Sequence, residues 1–180
     1  MSRPYPHLCA RANLTRMIVR CTRKVLDQLP PDTPIGAPPA KDDDWYLNLL
    51  WIERRKCVLL AHAGTLFAVF RPTIRKAALR DLTPLVTEMI TTELERAGLP
   101  HHTFGPVPPD VVVVTKTASR HTLGHMNEMA THLRYAIDHH GGLDHTDINA
   151  LHHQLHRTLH NRGGDYVRPI DLARTPRRSS

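Results

Sequence analysis

Apolar positions along this chain change period twice, and the changes divide it into elements. Met17-Ile18-Val19-Arg20-Cys21-Thr22 is the first convincing apolar run and predicts a strand. Thr22 is placed to cap a short helix to about Leu29, which Pro30-Pro31 ends. Residues 30–44 follow as a proline-rich loop with an acidic end. Three aromatic and aliphatic runs come next: Trp45 to Ile52, Lys56 to His62 and Thr65 to Phe70. Polar breaks at Glu53-Arg54-Arg55 and around Ala63-Gly64 separate them, and Pro72 closes the set. The pattern predicts an antiparallel meander of three strands.

From Thr73 to Ala97 the period becomes helical, with Leu79, Leu82, Val86, Met89 or Ile90, and Leu94 recurring at three and four. Pro84 predicts a break between a short helix and a longer one, and Gly98 the stop. A rigid linker, Gly105-Pro106-Val107-Pro108-Pro109, leads into Val111–Thr115, a short buried strand. Leu123–His139 is an amphipathic helix with Met126, Met129, Leu133, Ala136 and Ile137 on one face, stopped by Gly141-Gly142. Asp147–His160 is a second, striped by Ile148, Leu151, Leu155 and Leu159 and stopped by Gly163-Gly164. The expected fold is a single α+β domain over residues 17–172, its largely antiparallel sheet covered on one face by helices. Residues 1–16 are expected to be a disordered extension, with Met17 a candidate start, and residues 173–180 a disordered basic tail.

Composition narrows the class. Apolar residues make up 41% and charged residues 23%, which is globular usage. Without a membrane-length apolar run or a secretory apolar core near the N-terminus, a soluble, cytoplasmic chain with no membrane partner is expected. Cys9, Cys21 and Cys57 are too few and too scattered for a disulfide framework or a standard zinc site, and Cys57 reads as a small buried hydrophobe. The net charge of +7 invites a nucleic-acid partner, but it sits at the ends. Residues 1–29 hold six basic and one acidic side chain, and residues 165–180 four and two, so residues 30–164 are neutral with fourteen of each. That is a poor footprint for a groove-binding domain. Arginine outnumbers lysine 19 to 5, a bias of the kind GC-rich codons produce, which discounts the 14 histidines as a chemical signal.

Candidate chemistry concentrates in Thr115-Lys116-Thr117-Ala118-Ser119-Arg120-His121-Thr122, which runs from a strand end into a helix start. Backbone N–H groups there, with two cations and several hydroxyls, suit an anion; the plain alternative is that Ser119 or Thr122 caps the helix. No Walker loop is present. His121, His125, Glu128, His132 and His139 lie along one line of the helix, read as a solvated stripe opposite the apolar face. His152, His156 and His160 repeat at four on the next helix. No His-Glu-x-x-His signature accompanies them, so no metal and no cofactor are assigned. Arg54-Arg55-Lys56 is a cationic turn, and Asp42-Asp43-Asp44 lacks calcium-loop spacing. No Gly-x-Ser-x-Gly elbow supports a hydrolase built on Ser119.

Two segments resemble a family of small uncharacterised bacterial proteins, classed as a domain of unknown function. One is Trp45-Tyr46-Leu47-Asn48-Leu49-Leu50-Trp51-Ile52 with Arg54-Arg55-Lys56-Cys57-Val58-Leu59-Leu60. The other runs Thr115-Lys116-Thr117-Ala118-Ser119-Arg120-His121-Thr122-Leu123-Gly124-His125-Met126-Asn127-Glu128. The likeness extends from Met17, with Arg20-Cys21-Thr22, to about Leu172, leaving out residues 1–16 and the proline-rich loop. It implies no activity and no fixed histidine at His121 or His125. It does draw attention to polar residues that packing does not explain: Asn48, Arg54, Arg55, Lys116, Thr117, Ser119, Arg120 and Asn127.

The expected function is therefore a binding or regulatory module for an anionic, phosphate-bearing ligand or nucleic acid, using Lys116, Thr117, Ser119, Arg120, Arg54, Arg55 and Asn127. Two alternatives stand beside it. One is an enzyme using the same pocket, with Ser119, Asn127 or Glu128 as polar groups and no catalytic residue assigned. The other is a protein-interaction module, such as an antitoxin-like accessory protein.

Overall fold

The computed structural model describes residues 14–175. Five strands form one sheet: β1 (Arg16–Cys21), β2 (Trp45–Ile52), β3 (Arg55–His62), β4 (Ala68–Arg71) and β5 (Val111–Lys116), in the order β4-β3-β2-β1-β5. Strands β2, β3 and β4 are the antiparallel meander. Strand β1, however, lies parallel to both β2 and β5, so the sheet is mixed and not largely antiparallel. The reason lies in the connections. Parallel neighbours need a long crossover, and the proline-rich stretch before β2 and the helical stretch before β5 supply it.

Helices cover both faces, which corrects the expectation of one. Successive residues of a strand point to opposite sides, and β2 is apolar on both: Trp45, Leu47 and Leu49 join one core, Tyr46, Leu50 and Ile52 the other. The first core is closed by α1 (Arg23–Leu26), α2 (Leu82–Ala97) and α5 (Pro169–Arg174), through Val25, Val86, Ile90 and Ile170. The second is closed by α3 (Arg120–His139) and α4 (Ile148–Arg157), through Met126, Met129, Leu133, Ile137, Leu151 and Leu155. A run such as Trp45–Leu50, apolar at odd and even positions and interrupted only by Asn48, is what burial on both faces requires.

The short helix followed by a longer one is present, a 3-10 turn over Lys76–Leu79 and then α2, and Pro84 lies just inside the longer helix rather than between the two. Asp81 caps α2 through Thr83 N–H at 3.0 Å, so Pro84 falls in the first turn, where a missing N–H removes no helical bond. Gly98, at φ 64°, ends it. Helix α4 stops at Arg157, so Leu159 is 54% exposed rather than on the stripe. Gly163-Gly164 turn a small hairpin, β6 (His160–Arg162) and β7 (Asp165–Val167).

Thr15 and Arg16, expected in the extension, are held: Thr15 N–H and Oγ1 both donate to Asp110 at 2.7 Å, and Arg16 opens β1. Residues 1–13, with Cys9, and residues 176–180 lie outside the described residues. Among the described residues no helix is long and apolar enough to cross a membrane.

Candidate functional site

Chain connectivity creates one distinctive place. Cys21, the last residue of β1, is level with Lys116, the last of β5, and the two strands are adjacent and parallel. After Cys21 the chain turns to the α1 side of the sheet; after Lys116 it turns to the α3 side. Connections that diverge from neighbouring parallel strands leave a crevice outside their carboxyl ends, the usual ligand position in sheets with parallel strands.

Thr22 follows the end of β1, and Lys116, Thr117, Ser119 and Arg120 run from the end of β5 into α3, all at this end of the sheet. Asn48, only 8% exposed, backs it from β2, with its Oδ1 accepting from the Thr22 hydroxyl at 3.1 Å. Ser119 is the helix cap: its Oγ accepts from Thr122 N–H at 3.2 Å and from Thr122 Oγ1 at 3.1 Å. The N–H groups of Arg120 and His121 have no acceptor, and the Lys116 and Arg120 side chains are exposed without an ion pair among the described residues. Tyr46 lies against the backbone of Ser119 and Ala118, and burial holds its phenol above its ordinary value despite Arg20 and those backbone groups.

Behind the crevice sits a buried charge that sequence reasoning did not single out. Arg20 is 2% exposed and pairs with Asp44 at 2.6 Å. Its guanidinium also donates to the Pro38 and Pro39 carbonyls at 3.0 and 2.8 Å, pinning the proline-rich loop. Gly36 of that loop bridges Thr115, covering the free edge of β5. An arginine inside an apolar strand was the signal; its partner was hidden within an ordinary acidic run.

Arg54 and Arg55 are not brought to the crevice. Cys21 is also level with Leu47, and the hairpin begins five residues further along β2. At about 3.3 Å per residue and about 4.8 Å per strand that is roughly 16 Å along and 10 Å across. Each cation of the turn has its own setting. Arg54 is exposed, Arg55 makes a bidentate pair with Asp144 at 2.6 Å, and Lys56 donates to Gln28 at 2.6 Å. The Asp144 pairing holds the Arg55 guanidinium above its ordinary value. Glu53 in the same turn accepts from Leu143 N–H at 3.0 Å, so the hairpin grips the α3–α4 connection. Asn127 is exposed two turns into α3, on the Arg120 side of the helix.

The histidines divide by role. His152 and His156 are buried on α4 and satisfy the outer edge of β4. His152 Nε2 accepts from Phe70 N–H at 2.9 Å, its Nδ1 lies 2.8 Å from buried Glu93, and His156 Nε2 donates to the Ala68 carbonyl at 2.8 Å. Burial pushes the His156 imidazole down to about 4. His125, expected in a solvated stripe, is 8% exposed, because its line flanks the apolar face of α3 rather than opposing it. Burial also raises both described cysteines, Cys21 to about 12, which suits inert core thiols.

At the opposite end of the sheet a groove of 1310 Å³ opens beside Met17, Trp45, Phe104, Arg162 and Leu172, and its lining includes none of the candidate ligand-binding residues Lys116, Thr117, Ser119, Arg120, Arg54, Arg55 and Asn127.

No curated protein and no solved structure matches the chain. A family match spans residues 18–172, and the chain belongs to the family described as Domain of unknown function (DUF6933).

Proposed function

We propose that this chain is a binding module for a small phosphate-bearing anion, seated outside the carboxyl ends of β1 and β5. The observation that carries the reading is the divergence of the chain after Cys21 and Lys116, two level and adjacent parallel strand ends. What gathers there is suited to an anion: the Lys116 ammonium, the Arg120 guanidinium, the Thr22 and Thr117 hydroxyls, and two N–H groups at the start of a 20-residue helix. Arg54 and Arg55 have no part in it, and Asn127 borders it only at a distance. Two cations and a neutral central segment favour a small ligand over a nucleic-acid backbone, whose binding draws on many phosphate contacts.

The test is a thermal-shift and calorimetric screen of the full chain against inorganic phosphate, nucleotides and phosphorylated sugars, with Lys116→Ala and Arg120→Ala in parallel. A phosphorylated compound should stabilise the parent, and each variant should bind it at least about tenfold more weakly, the scale of one charge-assisted hydrogen bond. Equal binding by parent and both variants, or a flat response to every phosphorylated compound, would overturn the reading.

A further inference from the structure

Independently of that crevice, we propose that His125, Glu128 and His160 form a three-ligand site for a divalent transition metal, zinc being the natural occupant, at the seam between α3 and β6. His125 and Glu128 sit one turn apart on α3. His160 opens β6, after α4 has carried the chain back to α3. One donor atom from each lies within 4.8 Å of the others.

Two independent features mark this as more than a crowd of histidines. His125 and His160 are 8% and 4% exposed, and each has a ring nitrogen, His125 Nδ1 and His160 Nε2, that is shut off from solvent and has no hydrogen-bond partner. An orphaned polar atom in the interior costs about 1–3 kcal/mol, and buried nitrogens without partners are uncommon. Both belong to residues that bring a donor atom within 4.8 Å of each other and of the Glu128 carboxylate, and a shared cation would satisfy both.

Geometry agrees. His125 Nδ1 stands 3.4 Å from Glu128 Oε2, a contact too long and too poorly aligned to satisfy the nitrogen. Ligands bound at about 2.0–2.1 Å in a tetrahedral arrangement lie about 3.3–3.4 Å apart, so this pair is already at coordinating separation. His125 Nε2, on the far side of the ring, is 3.2 Å from His121 Nε2. With Nδ1 on the metal, Nε2–H donates to His121, and that outward hydrogen bond fixes the tautomer as metal-bound imidazoles require. Glu128 is 65% exposed, so its side chain is free to close the remaining distance.

Nitrogen and carboxylate ligands without thiolate favour zinc or a first-row neighbour over calcium or magnesium. Three protein ligands are the number found where a fourth position stays open to water or substrate. His152 and His156 take no part, being committed to β4 and Glu93. An ion here would tie the β6–β7 hairpin to α3.

The experiment uses the untagged full chain, stripped with a chelator and titrated with Zn²⁺ alone by calorimetry, with Co²⁺ absorption as a second readout. One ion should bind per chain with micromolar affinity or better, and Co²⁺ should give the intense visible bands of a low-coordinate site. Glu128→Gln changes an exposed side chain and leaves the fold intact; it should weaken binding at least tenfold, and His160→Gln should abolish the one-to-one site. A double variant His139→Ala, His140→Ala, on the exposed pair ending α3, should bind as the parent does. The proposal is overturned if no saturable one-to-one binding occurs, if Glu128→Gln and His160→Gln both bind as the parent does, or if the His139, His140 variant loses the site.

Discussion

Lowering the pH should loosen this fold through His156, and the size of the effect follows from where that imidazole sits. Its ring stacks on Phe67 with centroids 4.0 Å apart, and its Nε2–H donates to the Ala68 carbonyl on the outer edge of β4. The groups facing it are Glu93 on α2 and His152 and Arg157 on its own helix; Glu93 favours the charged ring, the other two oppose it, and burial outweighs all of them. The imidazole therefore stays neutral in the native state down to about 4, against an ordinary value of 6.5. Above pH 6.5 both folded and unfolded chains are neutral here, and the contribution of His156 is fully present. Between 6.5 and about 4 the unfolded chain takes up a proton that the native chain refuses, so stability falls with falling pH. At about 1.4 kcal/mol per pH unit, the loss reaches about 3 kcal/mol by the bottom of that window.

The assay is urea denaturation followed by tryptophan fluorescence at several values between pH 7.5 and 4.5, with chelator present so that no metal contributes. His156→Gln is the comparison, because its amide still donates to Ala68 and does not titrate. Other groups shift the curves of parent and variant alike, so their difference isolates His156. The parent should lose about 2–3 kcal/mol more than the variant across the range. Parallel curves would refute the reasoning, since they would mean that His156 is already charged, or already solvated, in the native state.

Two further outcomes follow from buried or strained positions. Arg20→Met leaves Asp44 buried without its cation and frees the Pro38 and Pro39 carbonyls, so chemical denaturation should show a loss of about 3–5 kcal/mol. Adding Asp44→Leu should restore much of it; a double variant no better than the single would refute the account. Gly142 and Gly124 should respond with opposite signs. An alanine at Gly142 would need φ near +110° with its Cβ 2.5 Å from Glu53 Oε1, at a cost of about 1–3 kcal/mol, whereas Gly124 lies in α3 with nothing within 4 Å, and alanine there should add about 0.5–1 kcal/mol. Thermal melts read both.

Legibility from the sequence tracked how local each interaction is. The strand runs, the Gly98 stop and the apolar face of α3 were readable because they repeat within one or two turns. The parallel pairing of β1 with β5 was not, since its register joins residues 95 apart, Arg16 with Val111 through Cys21 with Lys116. Even so, Trp45–Leu50 held the correction to the one-sided sheet within it: a strand apolar at odd and even positions alike must be covered twice. The short turn Lys76–Leu79 and the longer α2 were readable as a pair, whereas the cap at Asp81, which puts Pro84 in the first turn of the second, was not.

The polar residues show the same limit more sharply. Arg54, Arg55 and Lys56 form one uniform cationic run, yet the fold gives them an open surface, Asp144 and Gln28 respectively. His152, His156 and His160 look like one repeat at four, yet two of them mimic a neighbouring strand for β4 and the third turns to α3. Periodicity assigns a side chain to a face of its own helix and says nothing of the backbone or carboxylate that meets it there. The buried partners of these residues, Phe70, Ala68 and Glu93, come from other elements, the first two 82 and 88 residues away. A discount on histidines that rests on codon usage addresses their number and not their burial. Burial is what separates His62, His125, His152, His156 and His160 from the other described histidines, which are exposed, and it is the property that makes both the acid sensitivity and the metal site testable.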